Sequence, residues 1–112
     1  MNYQHAGLAA GRWASMSLSE QLANVASEIG RTISWRSRDQ KTSRSAFFRA
    51  LELMDLTVRN ARGFTRLREL ARIRELLIDH FVYDNQYNTT DDYWQSFFMP
   101  FAHAAAMQRR RS

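Results

Sequence analysis

A chain of 112 residues with a net charge of +5 has material for one small domain around one hydrophobic core. Its hydrophobic fraction of 45% and charged fraction of 24% are ordinary for a globular protein, and the lack of cysteine excludes a disulfide framework and thiolate chemistry. Residues 1–10 lack the basic start and apolar run of a signal peptide, and no stretch reaches the roughly 18 apolar residues of a membrane span; a cytoplasmic protein with no membrane partner is expected.

The charge rests on arginine, with 15 of them against the single Lys41. Guanidinium forks suit carboxylates, phosphates and stacked bases better than an ammonium does. A basic balance permits RNA or DNA as a partner without identifying it. A solvated face laced with internal ion pairs is the plainer account.

In chain order, residues 1–16 hold two glycines and several alanines without a period, and read as a flexible lead. Arg12 and Trp13 are the exceptions, with Trp13 expected to pack back on the rest. Ser17 followed three residues later by Glu20 spells a capping box that opens the first helix. Leu18, Leu22, Val25, Ile29 and Ile33 form its apolar stripe, and Ala23, Ala26 and Gly30 leave one flank open to close approach. Glu28 lies beside that stripe, within reach of a buried cation.

Residues 35–41 form a polar connection, and Thr42 or Ser43 is the expected cap of a second helix running to about Asn60. Its core face is Phe47, Ala50, Leu51, Met54 and Val58, with Phe48 and Leu56 pointing elsewhere. Residues 60–64, with Gly63, turn into the third helix, for which Thr65 is the expected N-cap. At about 100° per residue, Leu67, Leu70, Ala71, Leu77, Ile78 and Phe81 fall on one stripe. Arg74 lands within it. An unpaired buried charge is costly, so Arg74 either reaches the rim or pairs with a carboxylate, Glu28 and Asp55 being the nearest candidates.

Residues 84–90 form a polar loop. Thr89 or Thr90 then caps the fourth helix, with Asp91 and Asp92 in the first turn where the helix dipole favours acid. Trp94, Phe97, Phe98, Phe101 and Ala105 are its stripe, and Pro100 is expected to kink it. The pattern predicts an all-α fold, an antiparallel up-down-up-down four-helix bundle over residues 17–108, with a basic tail at 109–112 that frays.

Motifs for chemistry are thin. His5, His80 and His103 lie far apart; His80 and Asp84 share a helix face, but a zinc site needs three or four ligands. Asp84, Gln86 and Asn88 alternate like the start of a calcium loop, yet Thr89 and Gln95 stand where the glycine and the closing acid belong. The Asn88-Thr89-Thr90 glycosylation triplet has meaning only in a secreted chain. No glycine-rich elbow or phosphate cradle accompanies the hydroxyls. No catalytic residue, cofactor or metal ligand is assigned, and the expectation is a protein that is not an enzyme.

Two residue sets remain. Arg62, Arg66, Arg68 and Arg72 gather at the start of the third helix while Glu75 and Asp79 lie toward its end, the reverse of what the dipole prefers. They are a candidate anion or nucleic-acid site, or the basic half of inter-subunit salt bridges. Trp13, Trp35 or Tyr87 can stack on bases where exposed. Phe48, Leu56, Ile73, Leu76, Tyr83, Met99 and Met107 fall off the core stripes and are candidates for an interface with further copies of the chain.

RWASMSLSEQLANVASEIGRTISW, FFRALELMDLT and RLRELARIRELLIDHFVYDNQY together resemble a group of small bacterial four-helix-bundle proteins. The resemblance covers residues 12–101, and SLSEQLANVASEIGR and DNQY are its most specific pieces. More remotely, the group is similar to the ribosomal intervening-sequence proteins and to the accessory protein of diversity-generating retroelements. That resemblance implies a ring-like homo-pentamer, and in the retroelement case binding to nucleic acid and a reverse transcriptase. It transfers no residue role to this chain. The expected function is a non-catalytic homo-oligomeric scaffold or partner-binding module, with an RNA- or DNA-binding accessory protein as the alternative.

Overall fold

Ser17 does what its spacing to Glu20 requires. Its Oγ accepts from the Glu20 amide at 3.1 Å, and the Glu20 carboxylate accepts from the Ser17 amide at 3.1 Å. Two of the four free N–H groups at a helix start are thereby satisfied. In a computed structural model, which describes residues 11–111, this box begins α2 (Leu18–Trp35). A single turn, α1 (Trp13–Ser15), precedes it; α3 (Gln40–Arg59), α4 (Phe64–Phe81) and α5 (Asp91–Arg111) follow. The described residues contain no strand. Residues 1–10 of the expected lead, His5 and Ser112 lie outside the described residues. Trp13 is fully buried, so the packed unit begins before Ser17.

Three boundaries differ from the sequence expectation. α3 is capped by Asp39, whose carboxylate accepts from the Lys41 amide at 3.1 Å and the Thr42 hydroxyl at 2.7 Å, so the connection after α2 spans only residues 36–39. Thr42 is thus a partner of the cap instead of the cap. α4 starts after Gly63, whose φ of 93° and ψ of 151° suit glycine, and no side chain caps it; Thr65 already lies inside. α5 runs through Pro100 to Arg111, so residues 109–111 are helical. Pro100 and Ser96, the residue whose carbonyl loses its partner, are both exposed, so that carbonyl can turn to water.

α2 packs against α3 and α5, and α4 rests chiefly on α3. Ser17 Oγ donates to Gln108 Oε1 at one end of α2, while Arg36 reaches Asp91 at the other. Trp13, Leu22, Ile29, Met54, Leu77 and Trp94 are among the side chains sealed in the core. Leu56 joins them at 2% exposure. It does not face outward as its off-stripe position suggests, because α3 has neighbours on more than one side. α4 is the opposite case: of its expected stripe only Leu70 and Leu77 are buried, and Leu67 is exposed.

Buried polar groups find partners both within and between helices. Gln21 Nε2 donates to the Trp13 carbonyl, Ser43 Oγ to the Thr32 carbonyl, and Thr57 Oγ1 to the Leu53 carbonyl. Trp13 Nε1 is buried with no partner among the described residues.

Candidate functional site

The four α4-side arginines do not converge. Arg62 and Arg66 border a recess of about 560 Å3 shared with the α1–α2 turn and Gln108. Arg68 and Arg72 border a separate recess with Thr65 and Glu69. Arg66 and Arg68, two residues apart, lie on different faces of α4, and Arg62 precedes the helix. The second pair is interleaved with aromatic rings. The Arg68 guanidinium lies 5.8 Å from the centre of the Phe64 ring, and that of Arg72 lies 5.9 Å from Tyr87. Both rings are exposed. Of the other rings considered for stacking, Trp13 is buried, and Trp35 is half-buried with Arg38 over its face at 4.2 Å.

Arg74 Nε donates to Asp55 Oδ1 at 2.7 Å. Glu28, the other candidate, does not meet Arg74. It pairs instead with Arg31 at 2.7 Å on its own helix and Arg49 at 3.4 Å on α3. The interface candidates divide as well. Phe48, Tyr83, Met99 and Met107 are exposed, Ile73 and Leu76 are half-buried against the core, and Leu56 is inside it.

A second constellation escaped the sequence reading. The loop after α4 is held by Asp79, whose carboxylate accepts from the Gln86 amide at 2.9 Å and the Tyr87 amide at 3.2 Å. Asn85 and Asn88 take left-handed backbone conformations that asparagine tolerates, with φ of 51° and 56°. Asn85 is also tied to Thr89 by reciprocal side-chain to backbone bonds of 2.8 and 2.9 Å. Thr90 then caps α5, accepting from the Tyr93 amide at 3.0 Å.

Thr89 turns inward, to His80. His80 Nε2 lies 2.9 Å from Asp91 Oδ1, and its Nδ1 lies 3.0 Å from Thr89 Oγ1. A carboxylate can only accept, so Nε2 carries a proton and donates to Asp91. Thr89 Oγ1 also accepts from Trp94 Nε1 at 3.1 Å. Arg36 closes the chain with two bonds to Asp91, at 3.1 and 3.3 Å, while its guanidinium covers Phe81 at 4.9 Å. Partial burial raises the Asp91 carboxyl, but the His80 bond and the Arg36 charge outweigh it and hold the group below the usual carboxylate range. The row Asp91–His80–Thr89 sets a carboxylate, an imidazole and a hydroxyl in line. Its contacts bind α2, α4, the loop and α5 into one network. The tandem Thr89-Thr90 ahead of Asp91 was the available signal: one threonine caps the helix and the other is free to face inward.

Among the described residues no three acidic, histidine or cysteine side chains gather as a metal site, and no helix is long and apolar enough to cross a membrane. These features define an all-helical bundle with an arginine–aromatic face and an ordered inter-helix loop. No family model matches the chain, nor does any curated protein or solved structure.

Proposed function

We propose that this chain is a non-catalytic, homo-oligomeric cytoplasmic module, a scaffold or partner-binding unit whose subunits meet along the uncovered side of α4. The observation that supports it is the uncovered first part of α4. Residues 64–69 are exposed at every position, Phe64 to 72% and Leu67 to 38%. Apolar area left in water costs about 25 cal/mol per Å2, so a helix open on this scale favours a partner. In this reading α2 to α5 are the four helices of an antiparallel up-down-up-down bundle, the arrangement that the paired ends of α2 and α5 favour. A ring such as a pentamer is what the resemblance to bundle-forming proteins implies.

Gel filtration coupled to light scattering tests the reading. An assembly is expected, and Leu67→Glu should dissociate it with helix content kept. A monomer across the micromolar range overturns it.

A second reading is favoured by the rings of Phe64 and Tyr87 beside Arg68 and Arg72. Exposed rings stack on bases of any sequence while arginines meet the phosphates, which suits single-stranded RNA or DNA. Binding should then weaken with salt at a log–log slope of about −0.7 per phosphate contact. Absence of binding at low salt removes this reading.

A further inference from the structure

At the loop end of the molecule, α2, α3 and α4 enclose a cavity of about 340 Å3. Phe47 and Phe81 form an apolar wall, their ring centres 5.2 Å apart. Phe48 and Val82 also line it and stay exposed, which puts them on its open side. The two floor hydroxyls are already committed: Ser43 donates to the Thr32 carbonyl at 2.6 Å, and Thr32 to the Glu28 carbonyl at 2.8 Å.

Two guanidiniums border the space. Arg36 is fixed by its fork on Asp91 and by the Phe81 ring beneath it. Arg44 is exposed and pairs with no carboxylate among the described residues. The cavity therefore combines aromatic walls, two floor hydroxyls that are already bonded, the Gln40 amide at its border and one cation with no carboxylate partner among the described residues.

We propose that this cavity binds a small organic carboxylate with a flat apolar body of one or two rings. The volume lies at the low end of the range of about 300–1,000 Å3 for ligand pockets, which limits the size of the guest. The Phe47 and Phe81 rings, tilted at 38° to each other, give the apolar body an aromatic surface to pack against. Arg44 supplies a fork that matches a carboxylate in two bonds. A neutral guest leaves that fork idle, and an inorganic anion leaves the apolar wall in water. The proposal does not depend on the assembly reading.

Titration with 2-naphthoate, followed by backbone amide NMR shifts, tests it. Saturable shifts are expected at Ser43, Phe48 and Val82, with a dissociation constant at or below about 1 mM. Arg44→Gln should weaken binding at least about tenfold, and the neutral analogue 2-naphthalenemethanol should bind the parent chain weaker by a similar factor. Equal affinity for the alcohol, or unchanged affinity in Arg44→Gln, overturns the proposal. The titration is repeated on Leu67→Glu, which separates the pocket from any assembly. Binding by that variant alone supports a pocket covered by a second copy, whereas binding by neither chain overturns it.

Discussion

Arg74 and Asp55 join α4 to α3 through a 2.7 Å bond that neither helix fully buries: the two side chains remain 35% and 29% exposed. A sealed pair loses roughly 3–5 kcal/mol when one partner is removed, because the other charge is left alone, and a solvated pair loses about 0–1. This pair lies between the two. Arg74→Ala is expected to cost about 1–2 kcal/mol in a urea melt, with Asp55→Ala in the same background costing less than it does alone. Equal and additive losses would show that the bond contributes nothing.

Asp91 makes acid stability a test of the loop network. Its folded carboxyl titrates below the ordinary range, so its contribution is complete above the unfolded value of about 3.9 and is lost as pH falls through the folded one. Urea midpoints should fall as pH drops below about 4. Asp91→Asn should flatten part of that fall while lowering stability at neutral pH, since Arg36 loses its partner. An unchanged acid limb in Asp91→Asn would remove the assignment.

Leu56 and Leu67 exchange the roles that their sequence positions suggest. Leu56→Ala opens a hole in the core and is expected to cost about 2–5 kcal/mol. Leu67→Ala, on the open side of α4, is expected to stay within about 0.5 kcal/mol for the isolated subunit. Leu76 is half-buried against the core, so a charge there tests folding more than assembly. Chemical melts of Leu56→Ala and Leu67→Ala at low concentration check the contrast, and comparable losses refute it.

Gly63 begins α4 at a φ of 93° with open space where a Cβ would stand. The cost of Gly63→Ala is therefore conformational and not steric, at about 1–3 kcal/mol. Thermal melts should show that loss. A neutral or stabilising Gly63→Ala would mean that the turn can start α4 from another conformation.

What the sequence determined by itself is what a few consecutive residues can settle. Ser17 and Glu20 make their box because both partners lie within one turn, and the paired periods of α2 and α5 place Leu22, Ile29, Trp94 and Phe98 in the core. Tertiary structure decided the rest. Whether Arg74 takes Glu28 or Asp55 depends on α4 lying against α3, and a helical period names a face without naming its neighbour. Leu56 is buried because α3 has more than one neighbour, and Leu67 is exposed because α4 has chiefly one. His80 finds Asp91 eleven residues away because the loop folds back, held by Asp79 and by two left-handed asparagines. Partner choice of this kind is a property of which surfaces meet, and no local spacing contains it.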